Sequence, residues 1–426
     1  MRLRCANGDP LWLGYGMNVH PGGSPEVLEQ AIERTVLPLR RRLGARGTFG
    51  IALRLDALGV RALESDAGRL RALRQLLVAH DLVPFTANGF VLGRFHGPGV
   101  KDAVYRPSWR EAEREEYTLA LAGILAHLRG PGHVVSLSTA PGSWRGWGEE
   151  RTRVDADCAA RLVRTARRLR ELEHVSGVRV LLGLEPEPGC TLQRVSDAVA
   201  FFHGPLQQAF GRDTAARHHL GVCLDVCHQA VMFEDPRLGL DRLRAAGVPV
   251  VKVQASAALE LSDGSDVAGR AALARFVEPT WLHQTTTPDE RGEVHLLEDL
   301  PAALGSAAAP WLARRPWRTH FHVPVFRALS LPPLKTTQGE LDRVLARVAQ
   351  GGATRHLEVE TYTWEGLPED ERHAGSGFDL GEALARELEH VLAVLARHGA
   401  LPEVARAEGA RPGGAPAAKP TSTAEL

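Results

Sequence analysis

Short apolar runs alternate with longer amphipathic stretches along most of this 426-residue chain. That alternation constrains the fold more than any other feature. LGYGMNV, ending at Val19, precedes SPEVLEQAIERTVLPLRRRLG, where Ser24 is the expected N-cap. FGIALRLD, LVPFTANGF, HVVSLSTAPG, VRVLLGLEPEPG, LGVCLDVCHQ and VPVVKVQAS follow, each separated from the next by a helical pattern. Strands alternating with helices pair in parallel through crossovers, and this many units point to a closed eight-stranded (β/α) barrel.

Two strand candidates remain, HFHVPVF at 320–326 and HLEVETYTW at 356–364. A barrel needs one. The long helical pattern DLGEALARELEHVLAVLARHG follows HLEVETYTW, so that run is the expected eighth strand. HFHVPVF then belongs to a long excursion after the seventh strand, roughly 258–335. The expectation is one TIM-barrel domain over 1–402 with a tail at 403–426, rich in Ala, Gly and Pro and without apolar periodicity.

Composition limits the function classes. Lys+Arg and Asp+Glu balance at 51 each, which argues against a protein built to grip nucleic acid. The five cysteines are scattered, as in a reducing compartment rather than a disulfide framework. No apolar run reaches the roughly 18–20 residues of a membrane span, and the first ten residues lack a signal-peptide core. The expected location is the cytoplasm.

Side chains alternate faces along a strand. With Leu182, Leu184, Val222, Leu224, Val251, Val253, Leu357 and Val359 facing the helices, Glu185, Asp225, Gln254 and Glu360 face the interior. The same parity turns Asn18, Arg54, Asn88, Ser138 and His322 inward. Most of these lie at C-terminal strand ends, where this fold builds its active sites. Converging carboxylates repel unless a cation neutralises them, and oxygen and imidazole ligands suit one Mn²⁺, Zn²⁺ or Mg²⁺ ion. His228, three residues past Asp225, reaches the same ion or orients its ligands. The alternative is an interior salt-bridge set with Arg54 and Lys252. One step deeper, Lys252 and Glu358 on neighbouring strands are expected to pair. The loop TANGFVLGRFHGPGVKDAVYRPSW, with His96, Lys101, Tyr105 and Arg106, has the make-up of a substrate lid. Glu187 and Cys190 read as turn residues, and Cys227 as a bystander.

LEPEPGC, LGVCLDVCHQAVMFEDP, VKVQAS, HFHVPVF and LEVETYTW, with NVHPG and FTANGF, resemble the metabolite traffic protein EboE family over nearly the whole chain before the tail. That family belongs to the xylose isomerase-like TIM barrels, alongside sugar epimerases and AP endonucleases. The resemblance implies metal ligands at Glu185, Asp225, His228, Gln254 and Glu360, to which strand parity adds His322. Glu185 and Glu360 would flank the substrate as catalytic carboxylates. Asn18, Arg54, Asn88, His96, Ser138 and Lys252 would surround a small hydroxylated or carbonyl metabolite. It further implies a part in moving a secondary-metabolite precursor, beside products of the same gene cluster that include a membrane prenyltransferase-like enzyme. Departures from the superfamily pattern matter here. Gln254 stands where a seventh-strand histidine is usual, and Asn88 and Ser138 replace endonuclease histidines. One metal ion is therefore expected, not a multi-zinc nuclease centre. A non-catalytic metabolite carrier on the same barrel is the first rival expectation, and an AP-endonuclease-like repair enzyme the lesser one.

Overall fold

A computed structural model describes residues 1–45, 47–97, 99–305, 311–326, 332–372 and 378–403. Eight parallel strands form the barrel: β1 (Pro10–Tyr15), β2 (Phe49–Arg54), β3 (Leu82–Asn88), β4 (His133–Thr139), β5 (Val178–Leu184), β6 (Leu220–Asp225), β7 (Val250–Ala255) and β8 (His356–Val359). From β2 to β8 each pairs with the next, and β8 pairs in parallel with β1. A parallel bridge between Gly16 and Ala52 closes the ring from β1 to β2. The protein is a (β/α)8 TIM barrel. The closure needs small residues: a Cβ on Gly14 would lie 2.9 Å from the Gly50 carbonyl oxygen, and Phe85 fills the space beside both glycines.

The helices form the outer layer. Helix Leu380–Arg397 buries Leu384, Leu388, Val391 and Leu395, the 4-3-4 spacing of one helical face. Truncating such a leucine to alanine costs about 2–5 kcal/mol. Ser24 caps its helix as expected, accepting from the Val27 amide at 3.4 Å. The first strand is shorter than the sequence suggests. It ends at Tyr15, and a single 3₁₀ turn, Met17–Val19, carries Asn18.

Between β7 and β8 lies the excursion, and it is structured. Its strands form an antiparallel sheet in the order 294–297, 285–288, 317–319, 259–261, 334–336. Residues 320–324, from HFHVPVF, continue beyond the 317–319 strand and lie outside the barrel sheet. Helix Gln338–Ala349 then leads into β8. Glu403, assigned from sequence to the tail, is held by ion pairs to Arg2 (3.1 Å) and Arg4 (2.7 Å). The rest of the expected tail, 404–426, lies outside the described residues. Among the described residues, no helix is long and apolar enough to cross a membrane.

Candidate metal centre at the barrel mouth

The C-terminal strand ends and the excursion meet over one cavity. Asp225 ends β6, and its carboxylate caps the short helix behind it, accepting from the His228 amide at 2.8 Å. Its other oxygen accepts from the Ser256 hydroxyl at 2.9 Å. That cap turns the chain and brings the His228 ring over the mouth. His320 and His322 arrive from the excursion, just past its 317–319 strand.

The three imidazoles converge through their Nε2 atoms. His320 Nε2 lies 3.1 Å from His228 Nε2 and 3.2 Å from His322 Nε2. Each Nδ1 faces an oxygen that can only accept: the Pro186 carbonyl for His228 (3.1 Å), the Glu360 carbonyl for His322 (2.7 Å) and the Gln284 Oε1 for His320 (2.7 Å). The Gln284 amide is itself oriented, because its nitrogen donates to Tyr105 Oη (2.8 Å) and to the Pro188 carbonyl (3.1 Å). Every Nδ1 therefore carries the hydrogen, and every Nε2 presents a lone pair to the centre. Burial holds all three rings neutral. It pushes His228 down to about 4, lowers His322, and drives His320 well below its usual range with help from His228, His322 and His283.

Three facing lone pairs repel, and a cation among them removes the conflict. Imidazole nitrogens bound tetrahedrally to zinc at about 2.0–2.1 Å stand roughly 3.3–3.4 Å apart, close to the observed spacing. Asp225 offers an oxygen within 4.8 Å of the His228 and His322 nitrogens, and Glu187 does so for His228 and His320. Cys227 Sγ is as close to His320 and His322, but burial, then the Asp225 charge, keeps its thiol protonated. A buried Glu185 oxygen also lacks any partner. The donor set fits a divalent ion.

The remaining expected site residues fall into two groups. Glu185, Glu360, Asn18, Asn88 and Arg54 line the cavity. Glu360 Oε1 accepts from Asn18 (2.8 Å) and Asn88 (2.9 Å). Burial raises the Glu185 and Glu360 carboxyls well above the usual range; the next largest cause is Asp225 for Glu185 and Glu185 for Glu360. Arg54 donates to the Gly22 and Gly93 carbonyls (2.8 and 2.9 Å), so it ties loops together rather than pairing with the carboxylates.

Four expectations need correction. Gln254, expected as a ligand, is fully buried and accepts from the Cys223 thiol at 3.0 Å, so it does not reach the cavity wall. Lys252 and Ser138, expected at the substrate, lie beneath it: Lys252 is paired with Glu358 and donates to Ser138 Oγ at 3.2 Å. His96 stands behind the wall, with Nε2 2.7 Å from the Asn18 carbonyl. Glu187 is no mere turn residue. It lines the cavity, accepts from Tyr105 Oη at 2.6 Å, and is pushed up to about 8 by burial.

Sequence reasoning left His320 open and missed Gln284 altogether. A signal for Glu187 and His320 existed. Glu187 follows Glu185, and His322 follows His320, at the two-residue spacing of one extended face. The loop after β3 borders the cavity with Phe90, Phe95 and Tyr105. Lys101 joins it to the excursion through the Glu278 and Trp281 carbonyls (3.1 and 2.7 Å) and Asp299 (2.8 Å), and the Trp281 indole donates to the Phe95 carbonyl at 2.8 Å. A cavity remains beneath it.

No family model and no curated protein matches this chain. Among solved structures it is similar to the IolI protein with a bound zinc atom, at 12% identity and a TM-score of 0.47, covering 91% of this chain and 99% of that one. It is also similar to the probable 3-DHS dehydratase AsbF of Bacillus anthracis, at 11% identity and 0.42, covering 83% and 91%. D-psicose 3-epimerase follows at 13% and 0.38, covering 85% and 91%. The chain's own strands and side chains define a TIM barrel with a candidate metal centre at its mouth.

Proposed function

We propose that this protein is a metal-dependent, isomerase- or epimerase-like enzyme of the xylose isomerase-like kind, acting on a small hydroxylated or carbonyl metabolite. The observation that carries the reading is the convergence of three imidazole lone pairs at 3.1 and 3.2 Å. His228, His320 and His322 would hold one divalent ion, with Asp225 beside them. When bound, the ion supplies Lewis-acid polarisation of a substrate oxygen. Glu185 and Glu360 border the same cavity and would take a proton from the substrate and return it. Asn18 and Asn88 hold the Glu360 carboxylate in place, and the lid excludes water. The sequence resemblance to the EboE family supports a finer reading: a cytoplasmic step in the traffic of a secondary-metabolite precursor, alongside gene-cluster products such as a membrane prenyltransferase.

Elemental analysis of protein purified without chelators tests the metal. About one equivalent of zinc or manganese is expected. Less than about a tenth of an equivalent, unchanged by reconstitution, overturns the proposal.

A further inference from the structure

The cavity has two unlike ends. Its floor holds the histidines and carboxylates. Its lid side is apolar: Phe90, Val91, Phe95, Trp281, Leu282 and Tyr362. The rings form a connected set, with Tyr362 4.8 Å from Phe95, 5.3 Å from Trp281 and 4.7 Å from His322, centroid to centroid. This aromatic wall therefore runs down to the proposed metal ligands.

A pocket for a free sugar needs an unoccupied donor or acceptor for each hydroxyl, since a buried polar group left unpaired is costly. Most polar groups on this wall already bond within the protein, with the Tyr362 hydroxyl the exception. All three Lys101 donors have partners. Both terminal nitrogens of Arg54 bind backbone carbonyls. Asn88 donates to Glu360 and accepts from the Phe90 amide at 3.0 Å. The Tyr105 hydroxyl lies between Glu187 and Gln284. The unpartnered buried oxygens here are Asn18 Oδ1 and Glu185 Oε2, both at the floor.

We infer that the substrate carries a compact oxygen-bearing head, which meets the histidine floor, on a flat apolar body that packs between the lid rings, as in an aromatic or unsaturated cyclic hydroxy- or oxo-compound, and is not a free polyol sugar. This rests on the metal reading proposed above. Aromatic walls accept flat bodies through offset and edge contacts, and small-molecule sites of this build take orientation from a few polar groups at one end.

The test uses zinc-loaded full-length protein and three probes that share one metal-binding head. Benzohydroxamate has a flat apolar body, acetohydroxamate has almost none, and erythronohydroxamate has a polyol body. Calorimetric titration is expected to show benzohydroxamate at least tenfold tighter than acetohydroxamate, with erythronohydroxamate no tighter than acetohydroxamate. Tyr362→Ala should weaken benzohydroxamate severalfold and leave acetohydroxamate unchanged. Equal binding of all three, preference for the polyol, or no binding to protein that demonstrably holds zinc overturns the substrate class and leaves the metal reading standing. Zinc content measured on the same samples separates the cases: protein that cannot hold zinc overturns the metal reading and this inference with it.

Discussion

Two layers of buried polar groups sit one above the other in this barrel, and they are built on opposite principles. In the lower layer Lys252 and Glu358, both fully buried on adjacent strands, neutralise each other and Ser138 takes a further ammonium hydrogen. Burial, the largest single effect, opposes the Lys252 charge, but Glu358, Cys223 and Glu360 together outweigh it and hold the ammonium above its usual value. In the upper layer the groups face one another without compensation. Three lone pairs meet, and after burial Asp225 raises the proton affinity of Glu185 and Glu185 that of Glu360. The lower layer is charge-balanced without a ligand, although Glu358 Oε1 has no hydrogen-bond partner, whereas the upper one would be balanced by the proposed cation. Adjacent positions in one barrel thus divide between holding the fold and holding something else.

The sharpest way to break this comparison is at the lower pair. Glu358→Gln strands the buried ammonium and should cost about 3–5 kcal/mol in urea unfolding. Adding Lys252→Met should recover most of that loss. A loss under about 1 kcal/mol would show that the pair is not the structural partner described. At the upper layer the effect should appear in metal binding instead. His320→Ala with His322→Ala should weaken zinc by roughly a hundredfold or more, because a full zinc site is worth about 10–16 kcal/mol, while metal-free stability stays within about 1 kcal/mol. If the metal-free variant loses as much stability as Glu358→Gln, both layers are structural.

A third buried carboxyl, away from both layers, isolates burial alone. Glu387 accepts from the Thr361 hydroxyl (2.5 Å) and the Val325 amide (3.3 Å), and burial pushes it up to about 8. The folded state then keeps a proton that the unfolded chain has lost, so stability falls as pH rises from the ordinary carboxyl range to about 8. Glu387→Gln removes that dependence. Its advantage in thermal unfolding should be near zero at pH 4–5 and grow to roughly 2–3 kcal/mol at pH 8; an advantage independent of pH contradicts the assignment. The smallest effect is expected at Gln284. Gln284→Leu frees the His320 tautomer and should weaken zinc by about 10–100-fold, with little change in unfolding. Unchanged zinc affinity would mean that the Gln284 amide does not orient the ring.

Much of the lower layer was legible in the sequence and less of the upper. Side-chain parity depends only on the local extended backbone, so it placed Lys252 against Glu358 and turned Asp225 and Glu360 inward. Parity gives direction but not reach. Gln254 points in and still stops at Cys223, while Ser138 and Lys252 lie too deep for the cavity. Glu187 escaped because two prolines made EPEPGC read as a turn.

By itself, the sequence determined the barrel, the place of the excursion and the identity of the eighth strand, since strand–helix alternation and period-two patterning are local properties. Only the tertiary structure decided that His320 and His322 meet His228 some ninety residues earlier in the chain. That meeting depends on how Thr285 and Thr319 pair across the small antiparallel sheet, and on a glutamine, Gln284, whose amide orients one ring. Long-range register of this kind is set by packing between distant segments, and no local periodicity encodes it.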